Sequence, residues 1–190
     1  MQPDIVQILL TPEEIQQRIC EMGKEITAAF SDSLPLFVGV LKGCSLFMAD
    51  LVRHVEIPLE IDFMAVMSYG GIQQSSGAVR IIKDLDTVIE GRDVLLLEGL
   101  IDTGMTAGYI LRNLEARRPQ SIRVCTLLDK QARRIVNVPI SFRGFQIPDK
   151  FVVGYGLDFR QLYRNLPYIG VLSSEVTGLN RSRPENSKIF

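Results

Sequence analysis

In "TPEEIQQRICEMGKEITAAF" the apolar positions Ile15, Ile19, Met22, Ile26 and Phe30 recur at spacings of three and four. That is the period of a helix with one face turned to a core. Thr11 precedes it as an N-cap, Pro12 takes the first helical position and Glu14 stands three residues after the cap, completing a capping box. Beyond residue 33 the pattern changes. Continuous apolar runs at "LPLFVGVL" (34–41), "LEIDFMAV" (59–66), "VRIIKDL" (79–85), "DVLLLEGLI" (93–101) and "IRVCTLLD" (122–129) read as strands, with helices over 44–55 and about 103–117. Strands apolar throughout are those of a parallel sheet covered on both faces, so the pattern predicts an α/β, doubly wound architecture. From residue 173 onward "SSEVTGLNRSRPENSKIF" is polar and aperiodic. The expectation is one domain over 1–172 and a frayed tail over 173–190.

Composition removes several classes. The 190 residues are 46% hydrophobic, enough for the core of one domain. Lys and Arg number 21 against 22 Asp and Glu, a net charge of −1. That balance argues against a general nucleic-acid or membrane-surface binder. No apolar stretch approaches the roughly eighteen residues of a membrane span, and "MQPDIVQI" lacks the basic and apolar regions of a signal peptide, which points to the cytoplasm. Cys20, Cys44 and Cys125 are odd in number and lack CxxC spacing, so they read as buried free thiols. His54, the single histidine, falls at the end of the predicted 44–55 helix. A cation suits the dipole there, and its role reads as structural.

The chemistry concentrates in "VLLLEGLIDTGMTAGYIL" (94–111), where a buried strand ends in Glu98 and Asp102 and a turn of small, hydroxylated residues follows. Ligands of doubly wound sheets bind beyond the carboxyl ends of strands. Residues 103–107 offer backbone N–H groups and two hydroxyls at a helix N-terminus, an anion site suited to phosphate. Asp102 would repel a phosphate unless it faced another part of the ligand or a metal, which implies a ligand with a phosphate and a polyol or cationic centre. The alternative is that Asp102 and Thr103 only cap the helix. A triphosphate loop is the weaker reading of "GLIDTGMT" (99–106), because Met105 stands where that motif needs lysine.

The stretch resembles the phosphoribosyl-diphosphate (PRPP) signature of the type I phosphoribosyltransferases. "VGVLKGCSLFMADL" (38–51), "SYGG" (68–71), "KDLD" (83–86), "LLDK" (127–130) and "PDKFVVGYGLDF" (148–159) resemble, in order and spacing, the hypoxanthine-guanine phosphoribosyltransferases of purine salvage. The likeness runs from about residue 8 to about 172. It implies a mostly parallel doubly wound sheet, a small hood from the N- and C-terminal segments, and a mobile lid loop over 67–78 that carries Ser68 and Tyr69.

The resemblance also implies a reaction: a 6-oxopurine and PRPP give a nucleoside 5′-monophosphate and diphosphate, with magnesium required. By family position Asp102 is the general base at purine N7. Glu98, Asp102, Thr103, Gly104, Met105 and Thr106 hold the ribose 5-phosphate end. Leu41, Lys42, Gly43, Arg164 and Arg134 serve the diphosphate, and the family loop at 41–43 can carry a non-proline cis peptide before its lysine. Lys130 donates to O6, having no acceptor for an exocyclic amine, and so selects hypoxanthine and guanine over adenine. Phe151 stacks on the purine, the backbone of Val152 meets its edge, and Glu98 and Asp158 contact magnesium. Without the resemblance Lys42 reads as a solvated loop lysine, Arg134 as a solvated arginine, Phe151 and Val152 as a buried strand and Asp158 as an exposed loop aspartate. The implied partners are small molecules, with neither nucleic acid nor membrane, and the implied assembly is a homodimer or homotetramer. A PRPP-sensing regulator that binds nucleic acid is the rival on this fold. It calls for a basic face, and the clusters "ARR" at 116–118 and 132–134 are short.

One position departs from the family, which usually has acids at both 98 and 99: here Gly99 follows Glu98. If a contact to a charged group is lost, worth roughly 1.5–3 kcal/mol, Gly99→Asp should lower KM for PRPP. The competing expectation is that glycine permits a close backbone approach, in which case a side chain would clash.

Overall fold

The computed structural model describes residues 4–68 and 79–178. Helix α1 (Pro12–Ala29) starts as its sequence predicts: Glu14 N donates to Thr11 Oγ1 at 3.3 Å and Thr11 N to Glu14 Oε2 at 2.8 Å. Ile15, Ile19, Met22 and Ile26, spaced for one face, are fully buried.

Six strands form the main sheet: β2 (Leu36–Leu41), β3 (Glu60–Ser68), β4 (Val79–Lys83), β5 (Asp93–Ile101), β6 (Ser121–Asp129) and β7 (Ile140–Gln146). Their order is β4-β3-β2-β5-β6-β7, all parallel except β4, which runs antiparallel to β3 at one edge. The continuous apolar runs have a direct cause in the pleat, which sends successive side chains to opposite faces. Leu95 and Leu97 of β5 join the core shared with α1 and α2 (Ser45–Leu51), while Val94 and Leu96 join the core under α3 (Met105–Glu115). Both faces of the strand are therefore covered.

The predicted hood is present as a separate sheet. β1 (Ile5–Leu10) pairs antiparallel with β9 (Ile169–Leu172), and β9 with β8 (Val152–Val153), so the chain ends meet above the main sheet. Three expectations need correcting. The 44–55 helix ends at Leu51 and finishes as a tighter turn over Val52–His54. The 103–117 helix is shorter, Met105–Glu115. Residues 173–178 are not frayed: Ser173 caps a short helix α4 (Ser174–Thr177), its hydroxyl accepting from Glu175 N at 3.2 Å. Tyr69 and nearly all of the expected lid lie outside the described residues, as does the tail beyond Gly178.

Candidate active site

Strand order decides where the site lies. The chain leaves β2 toward β3 on one side and leaves β5 toward β6 on the other, so a switch point opens between β2 and β5. The segments that follow those two strands are the Leu41–Gly43 loop and the Asp102–Thr106 turn. Both predicted phosphate-handling motifs thus face one crevice.

The turn after β5 surrounds a cavity of about 100 Å³ lined by Glu98, Leu100, Ile101, Asp102, Thr103, Gly104, Thr106 and Ala107. Five of the six residues predicted for the phosphoribose end share this wall. Met105, the sixth, opens α3, with its N–H 3.4 Å from Thr103 Oγ1. Asp102 makes no cap bond, and Thr103 makes only this one from the residue before the N-cap. The N-cap is Gly104, at φ +83° and with no side-chain cap bond. A β-carbon at Gly104 would run into the Val136 carbonyl, so this turn requires glycine. Thr103 also receives the N–H groups of Ile135 (2.8 Å) and Val136 (3.0 Å) on its carbonyl.

Asp102 is held but not saturated. Its Oδ2 lies 3.4 Å from Arg133 and 4.0 Å from Lys130 Nζ, whereas its Oδ1 is buried and has no hydrogen-bond partner. A buried, unpartnered acceptor is costly unless something donates to it. Lys130 follows β6 and is 4% exposed. Burial pushes its pKa down, and the Asp102 carboxylate partly restores it. Glu98 is half-buried in β5, four residues before Asp102, and desolvation pushes its carboxyl up to about 8.

A larger cleft, about 610 Å³, is lined by Leu41, Lys42, Gly43, Ala65, Val66, Met67, Ile82, Leu157, Asp158, Gln161 and Arg164. It collects the predicted diphosphate residues with one exception. The Leu41–Lys42 peptide is cis. Arg164 donates to the Gly156 carbonyl at 2.7 Å, lies 2.7 Å from Asp158 Oδ1 and reaches Gln161 Oε1 at 3.1 Å. The same Gln161 oxygen accepts from Lys42 Nζ at 3.4 Å, joining the two cations of the cleft.

Arg134 is the exception. Its guanidinium pairs with Asp129, which is 1% exposed, and donates to the carbonyls of Asp102 (3.1 Å) and Ile101 (3.4 Å). It is neither a diphosphate ligand of the cleft nor a solvated arginine; it braces the turn that carries Asp102. Its neighbour Arg133, which the sequence did not single out, joins Asp102 to Asp149 of the hood segment at 3.8 Å. Phe151 follows two residues later and packs edge-on against Phe159, centroids 5.5 Å apart. Val152 is buried in β8. Ser68 ends β3, its backbone paired with Val79.

The geometry at Gly99 favours the close-approach expectation. A β-carbon there would stand 2.8 Å from the Gly43 carbonyl oxygen and 3.1 Å from its carbon. The glycine lets the Leu41–Gly43 loop lie directly on β5.

The switch point thus brings together an unsaturated carboxylate, a turn of small residues at a helix N-terminus and a loop carrying Lys42. Comparison with known proteins identifies the family. The phosphoribosyl transferase domain model matches residues 7–160. The hypoxanthine-guanine phosphoribosyltransferase of Bacillus subtilis (strain 168) is 51% identical over 176 residues, 93% of this chain and 98% of that protein. A hypoxanthine phosphoribosyltransferase crystal structure from Staphylococcus aureus superposes with a TM-score of 0.87 at 47% identity, covering 91% of this chain and 94% of that one. The Trypanosoma cruzi hypoxanthine phosphoribosyltransferase in complex with the product IMP gives 0.86 at 37% identity, covering 93% and 98%. The chain belongs to the phosphoribosyl transferase family, among its hypoxanthine-guanine phosphoribosyltransferases.

Proposed function

We propose that this chain transfers the 5-phosphoribosyl group of PRPP to N9 of hypoxanthine or guanine, forming IMP or GMP and diphosphate. The observation that carries the reading is Asp102 Oδ1, a buried acceptor lacking a donor, beside Lys130 and at the start of the Asp102–Thr106 turn. A purine N7–H supplies that donor. As N9 bonds to the ribose C1, the C1–O bond breaks, its electron pair leaves with the diphosphate, and the N7 proton passes to Asp102. The carboxylate also favours the cationic character of the ribose. Lys130 donates to O6, the 103–106 turn holds the 5-phosphate, and Lys42 and Arg164 take the diphosphate. Phe151 and the Val152 backbone flank the base, and Ser68 and Tyr69 belong to the lid.

The reading includes magnesium, to which Glu98 and Asp158 would each offer one carboxylate. No group of three metal-ligating side chains gathers among the described residues, and the carboxylates of Glu98 and Asp158 line different cavities. Magnesium is usually held by one or two carboxylates together with water and substrate oxygens, so either residue would hold it only with the bound substrate. When bound it neutralises charge on the diphosphate.

The reading also includes a cytoplasmic homodimer or homotetramer. The nucleic-acid regulator gains no support from its basic clusters. Arg117 and Arg118 pair with Asp84 and Glu90, and Arg133 and Arg134 turn onto Asp102 and Asp129. An ultraviolet assay with hypoxanthine, guanine, xanthine or adenine plus PRPP and magnesium tests the proposal. Product with hypoxanthine or guanine is the expected result; none with any purine, together with a gel shift on mixed nucleic acid, would reverse it.

A further inference from the structure

The hood loop between β8 and β9 has an unusual backbone. Gly154, Tyr155 and Gly156 are consecutive and all have positive φ, at +100°, +46° and +93°. A bulky residue in this region is strained and persists only where surrounding contacts hold it. Those contacts are visible. Tyr155 N donates to the Leu166 carbonyl at 2.8 Å and Gly156 N to the Arg164 carbonyl at 2.9 Å. The Tyr155 ring is 6% exposed, and its hydroxyl donates to Asp50 of α2 through a short hydrogen bond. Gln16 of α1 donates to the same Asp50 oxygen at 2.9 Å and to the Tyr155 hydroxyl at 3.3 Å. Arg53 pairs with the other Asp50 oxygen.

The two ends of this link belong to two segments that line the larger cleft. α2 follows directly on the loop that carries Lys42 and Gly43, and Tyr155 precedes Leu157, Asp158, Gln161 and Arg164, all lining the cleft. The segments also touch at the backbone, since a β-carbon at Gly156 would lie 2.5 Å from the Gly43 oxygen. We propose that Tyr155 and Asp50 are a positioning pair, which holds the Asp158–Arg164 segment against the Lys42–Gly43 segment at the separation that fits diphosphate. Neither side chain lines the cleft, so both act through the loops they join. The proposal rests on the phosphoribosyl-transfer reading.

The test compares Tyr155→Phe, Asp50→Asn and Asp50→Ala with the wild type in steady-state kinetics and in inhibition by diphosphate. Tyr155→Phe keeps the ring and deletes the hydroxyl. The expected result is a KM for PRPP and an inhibition constant for diphosphate raised about three- to tenfold, with KM for hypoxanthine changed less than about twofold. Asp50→Asn retains an acceptor for the tyrosine and should stay nearer the wild type than Asp50→Ala. Combining Tyr155→Phe with Asp50→Ala should add little, because either change alone removes the shared bond. A lowered Tm with both diphosphate-side constants unmoved would overturn the proposal and leave a packing role. If Tyr155→Phe fails to fold, the two Asp50 variants decide: equal KM for PRPP in both overturns it. A wild type that makes no nucleotide defeats the functional reading itself, whereas an active wild type with unmoved variants defeats only this pairing.

Discussion

The carbonyl oxygen of Gly43 lies 2.8 Å from the point where Gly99 would carry a β-carbon. Leu157 closes the same space, with Cδ2 3.3 Å from that point. Any side chain at 99 must therefore displace the Leu41–Gly43 loop, and overpacking of this kind costs about 1–3 kcal/mol. Gly99→Ala and Gly99→Asp should both raise KM for PRPP, by roughly tenfold if the cost falls on the loop. Titrating PRPP at saturating magnesium checks this. A lower KM in the aspartate variant alone would restore the missing-acid account.

Asp102→Asn should leave PRPP binding nearly intact and reduce kcat by roughly 10²–10⁴-fold, the range of a lost general base. The substitution preserves shape beside Lys130 and Arg133, so the effect isolates the proton acceptor. Single-turnover rates beside PRPP binding by calorimetry measure the two quantities separately. An unchanged kcat would remove Asp102 from proton transfer.

Lys130 is the only charged group within 4.0 Å of Asp102 apart from Arg133 among the described ion pairs. Lys130→Gln replaces an all-donor head with an amide that can also accept. Discrimination against adenine should weaken, read as the ratio of kcat/KM for hypoxanthine to that for adenine. A ratio unchanged in the variant would place O6 recognition elsewhere.

Arg134, expected at the diphosphate, serves Asp129 and the Asp102 turn instead. Arg143 also pairs with Asp129, at 2.8 Å, so removing Arg134 costs less than the roughly 3 kcal/mol of a buried pair broken outright. Arg134→Ala should therefore lower Tm and kcat, while the inhibition constant for diphosphate stays within about twofold because Lys42 and Arg164 remain. Diphosphate inhibition measured below the variant's Tm makes the distinction; a large loss there would return Arg134 to ligand binding.

What the sequence revealed depended on how local the cause was. β5 was legible because helices cover both its faces, and Glu98 and Asp102 stood out as acids at the end of an apolar run. β1 was not legible, because its pairing partner is β9, more than 150 residues on in the chain, whereas β8 was legible as a buried strand but not its partner. Arg133, Gln161 and Tyr155 were missed for the same reason. Their partners Asp102, Lys42 and Asp50 lie 31, 119 and 105 residues away, and no local spacing encodes such a contact. The family likeness pointed to Lys42, Arg164 and Asp158, which the fold gathers around one cleft, and to Arg134, which instead turns onto the buried Asp129.

Asp62 shows what "KDLD" does in this fold. It is 5% exposed on β3, its Oδ1 accepts from Phe63 N at 2.7 Å, and its Oδ2 accepts from Asp86 N and Thr87 N, both at 2.9 Å. Lys83 Nζ stands 3.6 Å away. Burial alone would raise the carboxyl pKa, but the hydrogen bonds from Phe63, Thr87 and Asp86 outweigh it and hold the pKa below the ordinary value. A carboxyl depressed in the folded state stabilises the protein fully above its unfolded pKa of about 3.9, and that stability is lost as pH falls through the folded value. Asp62→Asn cannot accept all three bonds, since its nitrogen is a donor, and should cost roughly 1.5–3 kcal/mol at neutral pH. The gap between variant and wild type should be constant above about pH 5 and should narrow below about pH 4, as protonation takes the same acceptor from the wild type. Urea unfolding from pH 7 to pH 3 measures both curves. Parallel curves across that range would show that the carboxylate charge contributes nothing to the turn.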